Sequence, residues 1–161
     1  MVFDLEKFKV DKKVVLINLE DTDKIEVLKK MADRLCKEGY VKKSYIQGIL
    51  KREKVFPTGL QAEGCGVAIP HTDVEHVNSP MIAVATLKNT VEFNMMGGER
   101  DDKVDVKIIF MLAMKDGNAQ LALLQKLMEI IQDRELLEKI CREDEIDSLV
   151  SLINSVFTSK N

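Results

Sequence analysis

The chain has 161 residues, 45% hydrophobic and 32% charged, with a formal net charge of −3. That length predicts one domain over residues 1–161, which buries roughly 70% of its unfolded surface. The acidic balance leaves no basic footprint for nucleic acid, no apolar run approaches the ~18 residues of a membrane span, and the first residues lack the pattern of a signal peptide, so a cytoplasmic protein with no membrane insertion is expected.

In chain order, Lys13–Leu19 is a β-branched apolar run and reads as a strand. Asp21 or Thr22 then caps a helix whose apolar positions, Ile25, Leu28, Met31, Ala32 and Leu35, recur at helical spacing. Gly39 stops it in the usual position just past the end. A second helix begins near Ser44 with Tyr45, Ile46, Ile49 and Leu50 on one face. It ends in Lys51-Arg52-Glu53-Lys54, before a Pro57-Thr58-Gly59 turn.

Val67-Ala68-Ile69 suits a buried strand. The residue before a proline is biased toward extended geometry, and Pro70 has no amide donor, so the strand stops there and presents His71 at its end. Thr72-Asp73-Val74-Glu75 matches the capping box of a helix N-terminus. Unpaired N–H groups and the helix dipole favour an anion at such a place. Met81–Leu87 reads as a strand closed by a Lys88-Asn89 turn, and Val91–Phe93 as a short one. A polar loop, Gly97–Asp102, leads to Val104–Met114, the most apolar strand, whose unbroken character after Lys107 points to burial on both faces. Leu121, Leu124, Leu127, Met128 and Ile131 mark a helix from about Asn118. Leu136, Leu137 and Ile140 mark another, and Ile146, Leu149, Val150, Ile153 and Val156 a last one. Helices on either side of a strand-rich middle give an α/β fold, a three-layer α/β/α arrangement with a mixed sheet.

Of the two histidines, His71 has the context of a nucleophile. An imidazole with a pKa near ~6.5 offers a neutral nitrogen at cytoplasmic pH, and a hydrogen bond at one nitrogen selects the other for attack. Arg52 ends an amphipathic helix, where a solvated charge is the ordinary reading, but its planar fork also suits bidentate donation to phosphate. Thr58 can donate to the same group or stabilise its turn, and Glu53 can orient Arg52 or form a surface pair. The three cysteines, Cys36, Cys65 and Cys141, are scattered and have no Cys-x-x-Cys spacing, so neither a disulfide framework nor a zinc knuckle is indicated. A Cys65–His71 nucleophile pair and a metal cluster of His71, Asp73, Glu75 and His76 remain as alternatives, though the cluster lacks regular ligand spacing.

Lys51–Leu60 together with Ala68-Ile69-Pro70-His71 resembles the IIA components of the sugar phosphotransferase system, in the fructose–mannitol superfamily. The pattern is an Arg-Glu pair, then Pro/Ser-Thr-Gly-Leu, then Ile-Ala-[IV]-Pro-His, and the runs Val104–Ala113 and Ala119–Leu127 also match in spacing. Val104–Asp133 is most similar to galactitol-type members. The resemblance implies the same fold and a phosphoryl group carried on His71 and held by Arg52. It implies no bound metal or other cofactor. It further implies a histidine-containing phosphocarrier protein as donor and a IIB component as acceptor, with a IIC channel downstream. Where mannitol-type members carry a second histidine, this chain has Gln120, which can donate a hydrogen bond but supplies no positive charge. The nitrogen-type regulatory relatives imply a second reading, in which the same histidine is phosphorylated but the output is control of another protein. A metal-dependent hydrolase is a third.

Overall fold

The computed structural model describes residues 7–115 and 117–158; the side chains of 117–120 lie outside that description. The strands are β1 (Val15–Leu19), β2 (Gly59–Gln61), β3 (Gly66–Ala68), β4 (Met81–Asn94) and β5 (Lys103–Ala113). The helices are α1 (Lys24–Lys37), α2 (Ser44–Val55), α3 (Gly117–Gln132), α4 (Arg134–Arg142) and α5 (Ile146–Phe157). One mixed sheet has the order β1-β4-β5-β3-β2. Within it β1–β4 and β3–β5 are parallel, whereas β4–β5 and β2–β3 are antiparallel. Helix α1 packs with α2, and α3 with α4 and α5, giving the expected three-layer α/β/α arrangement. Among the described residues, no helix is long and apolar enough to cross a membrane.

The apolar stripe of α1 is buried through Val27, Leu28, Met31, Ala32 and Leu35, whereas Ile25 faces outward. The helix closes as the sequence requires: Gly39 takes φ +85°, Gly39 N–H donates to Cys36 O and Tyr40 N–H to Leu35 O. That pair of bonds is the Schellman cap, which needs a left-handed residue. In β5 the residues Ile108–Ala113 are all buried, as a strand covered on both faces demands, while Lys103–Val106 alternate exposed and buried.

Three local expectations are corrected. The cap of α1 is Asp23, whose side chain accepts from Ile25 N–H, while Asp21 is drawn to Lys30 Nζ at 2.7 Å. Lys88-Asn89 does not end a strand. β4 continues to Asn94, absorbing the polar stretch as an irregularity in its pairing with β5, and Lys107 Nζ donates to Lys88 O there. The capping box at Thr72 starts no α-helix. Val74–His76 is a single 3-10 turn, and Asp73 at its cap position makes no side-chain cap bond. The turn cannot extend because buried Val77 is paired with Val41, and His76 O accepts Lys42 N–H.

Two glycines let strands approach closely. A Cβ on Gly66 would overlap the Asp105 carbonyl, and one on Gly59 would lie 2.6 Å from Asn94 O.

Candidate functional site

His71 sits just past β3, half-buried, at the point where the chain crosses the end of β5. Leu112 N–H donates to Pro70 O at 2.9 Å, and His71 bridges Leu112 in parallel. On the other side of Leu112, the buried Tyr45 of α2 donates its hydroxyl to the Leu112 carbonyl at 2.7 Å. One β5 residue therefore ties α2 and the Pro70–His71 segment together, which fixes the helix carrying Arg52 and Glu53 against the histidine's strand.

The His71 ring is oriented by its Nδ1, 3.0 Å from the Ile69 carbonyl oxygen. A carbonyl only accepts, so Nδ1 holds the proton and Nε2 holds the lone pair. A neutral imidazole with a free Nε2 can act as a nucleophile.

Arg52 lies in the last turn of α2. Its guanidinium carbon stands 4.5 Å over the Phe56 ring, and Nη1 is 3.6 Å from Asp73 Oδ1. Stacking on one side and the carboxylate on the other limit how the fork can turn. Its Nε is buried and has no hydrogen-bond partner among the described residues. A buried donor without a partner costs free energy, and among the explanations for such an exception in a native structure are a catalytic role and a bound water or ion.

Arg52 lines a cleft of about 660 Å³ with Gly48, Lys51, Thr72 and Asp73, the last two following His71 directly. Gly48 makes this approach close: a Cβ there would lie 3.0 Å from Thr72 Oγ1 and 3.2 Å from His76 Cδ2. Exposed apolar side chains, Val55, Phe56 and Val74, stand at or beside the rim. A larger groove of about 810 Å³ between α4 and α5 contains none of these residues. We assign the candidate site to the smaller cleft because Arg52 lines it together with Thr72 and Asp73, the two residues that follow His71 in the chain.

The remaining candidates fall into place differently. Thr58 is buried, and its hydroxyl donates to Glu53 Oε1 at 2.7 Å, while its N–H donates to Glu53 Oε2 at 2.8 Å. Its one hydroxyl proton is thus spent on Glu53, the turn-stabilising arrangement. Glu53 neither pairs with Arg52 nor lies on the surface; burial pushes its carboxyl up, opposed by the two Thr58 bonds and by the charges of Lys24 and His71. The reading from sequence missed this, since a charged residue at a basic helix end gives no signal of burial. Gln120 belongs to the first turn of α3, a few residues beyond the end of β5, but its side chain is outside the described residues.

His76 lines the same cleft but is held by other partners, with Nδ1 2.8 Å from Ser44 Oγ and Nε2 3.6 Å from Glu75 Oε1. Among the described residues no three His, Cys, Asp or Glu side chains converge as a metal site. Cys65 does not serve His71 as a partner. It lies instead near Cys141 of α4, and that neighbour together with burial pushes the Cys65 thiol up.

Comparison with known proteins identifies the family. Residues 9–156 match the family model described as "Phosphoenolpyruvate-dependent sugar phosphotransferase system, EIIA 2". The galactitol-specific EIIA component of Escherichia coli is 30% identical over 118 residues, covering 73% of this chain and 77% of that protein. The fructose-specific EIIABC component of Bacillus subtilis is 28% identical over 147 residues, covering 89% of this chain. The chain spans only 22% of that longer relative. The crystal structure of IIA mannitol from Escherichia coli superposes with a TM-score of 0.73 at 26% identity, covering 91% of this chain and 99% of that one.

Proposed function

Because the chain belongs to the EIIA 2 family of the phosphoenolpyruvate-dependent sugar phosphotransferase system, we propose that it is a phosphocarrier, working as one IIA domain, in which His71 takes and passes on a phosphoryl group. The observation that carries this reading is the His71 ring with Nδ1 committed to Ile69 O, which leaves Nε2 for attack, two residues before Asp73, whose carboxylate faces an arginine with a buried Nε that has no hydrogen-bond partner among the described residues. The donor is a phosphohistidine on a histidine-containing phosphocarrier protein. The Nε2 lone pair forms the new N–P bond as the donor's N–P bond breaks, and those electrons stay on the donor imidazole. Charge spreads over the equatorial oxygens in flight, so catalysis is in-line positioning plus electrostatic stabilisation. Arg52 supplies that stabilisation, and Gln120 contributes a neutral donor. Thr58 acts through its turn.

The acceptor is a IIB component, which the relative named for joined A, B and C components supports. Galactitol or a related polyol is the cargo of the associated transporter, supported by the 30% identity to the galactitol-specific protein. The apolar rim of Val55, Phe56 and Val74 gives either partner a surface from which water can be excluded.

The test is labelling by the general phosphotransferase proteins, followed by transfer to candidate IIB proteins. His71→Ala abolishes acid-labile phosphorylation, and His76→Ala leaves it near the wild-type level. Labelling that survives loss of His71 refutes the assignment. A labelled chain that no IIB discharges points instead to the regulatory role.

A further inference from the structure

We propose that Glu53 is a positioning residue for the His71 imidazole; this rests on the phosphocarrier reading and extends it to a residue that touches no phosphoryl group. A series of four bonds connects them. Glu53 Oε2 accepts Thr58 N–H at 2.8 Å, and Oε1 accepts the Thr58 hydroxyl at 2.7 Å. The Thr58 carbonyl accepts Ile69 N–H at 3.3 Å, and the Ile69 carbonyl receives His71 Nδ1–H at 3.0 Å.

The need for such a clamp comes from Pro70. The peptide that carries the Ile69 carbonyl has proline nitrogen at its other end, with no N–H to anchor it. The direction of that carbonyl is held from the Ile69 N–H, hence from Thr58, and on the far side by Leu112 N–H bonded to Pro70 O. Thr58 lies between Pro57 and the three-residue strand β2, outside the ladder that would otherwise hold it. Glu53, only 4% exposed, supplies the missing rigidity by taking both its donors. A carboxylate is costly to bury unless its bonds are made, and here both oxygens are used on one residue. The basic groups that face it are Lys24 and His71. Alignment of the ring decides which nitrogen carries the lone pair and where it points, and a misplacement of about 1 Å at a reacting centre can cost roughly 100-fold in rate.

The experiment measures His71 ring 15N shifts in the unphosphorylated full chain, which report the share of Nδ1–H tautomer, and then phosphoryl transfer rates. Glu53→Ala removes the clamp. Glu53→Gln rebuilds it, its amide oxygen accepting Thr58 N–H and its amide nitrogen donating to the hydroxyl oxygen. Glu53→Asp keeps the charge but is one methylene too short to hold both groups, and it gives the same reading should the alanine variant not fold. Expected are a lower Nδ1–H share in the alanine and aspartate variants, transfer slowed about 10- to 100-fold with an unchanged KM for the donor protein, and recovery of both in the glutamine variant. A folded alanine or aspartate variant with the wild-type tautomer share and rate overturns the proposal, as does a glutamine variant as impaired as the alanine one. Wild-type protein that takes no phosphoryl group on His71 would instead remove the phosphocarrier reading, while leaving the tautomer comparison to judge Glu53.

Discussion

Arg52 combines an exposed fork with a buried Nε. Its Nε–H is buried and has no hydrogen-bond partner among the described residues, and such a donor costs about 1–3 kcal/mol. In the proposed transfer that donor is available to a phosphoryl oxygen. Arg52→Lys keeps the positive charge and deletes the orphaned donor together with the fork. Transfer should slow by roughly 30- to 150-fold, corresponding to ~2–3 kcal/mol of transition-state stabilisation, because the bidentate geometry is lost. Thermal stability should hold or rise slightly. Stopped-flow transfer rates and a melting curve on the same sample check both halves, and an unchanged rate would reduce Arg52 to a surface charge stacked on Phe56.

At the scale of elements, the site depends on how closely β3 is set into the sheet. β3 has three residues, all buried, and runs parallel to β5 with an irregularity between Gly66 and Val67. Gly66 permits this because any side chain there would collide with the Asp105 carbonyl, which is backbone and cannot swing away. Gly66→Ala should therefore cost about 1–3 kcal/mol by overpacking, a fall of roughly 3–10 °C in the thermal midpoint for a chain of this size. Because β3 ends two residues before Pro70, the same change should also disturb His71, slowing transfer at temperatures where the variant is still folded. An alanine variant that melts with the wild type would contradict the close packing of β3 on β5. Helix α2 has a different anchor, the Tyr45 hydroxyl on Leu112 O, which holds Arg52 and Glu53 at the site from 7 and 8 residues away along the helix.

For the molecule as a whole, the arrangement is asymmetric. His71 and the end of α2 that carries Arg52 lie at one end of the sheet, and the exposed Val55, Phe56 and Val74 stand at or beside the cleft that Arg52 lines. A transient protein complex needs a desolvated centre within a polar rim, and these side chains provide it without belonging to the core. Val55→Ser combined with Val74→Ser should raise the half-saturating concentration of the donor protein or the IIB acceptor several-fold. The maximal rate should change little, since neither residue touches the imidazole. The melting temperature should stay within the small range of exposed substitutions. Saturation curves with each partner check this, and an unaltered half-saturation for both would move the docking surface elsewhere.

The amino-acid sequence alone determines what short-range chemistry controls. The apolar spacing of α1, the left-handed cap at Gly39, the doubly covered half of β5 and the stop at Pro70 before His71 are all set within a few residues, and each stands in the structure. The family pattern around Arg52 and His71 is legible for the same reason: its residues lie close along the chain. Only the tertiary structure decided what depends on distant partners. Thr72 begins no helix because Val77 is claimed by Val41, and β4 runs through its polar stretch because β5 continues to pair with it. Cys65 meets Cys141 across 76 positions of chain. Glu53 is buried against Thr58 although its neighbours in sequence are Arg52 and Lys54. A charged side chain is placed by whichever donors the packed elements bring to it, and that choice is made only when strands and helices from remote parts of the chain exclude water together.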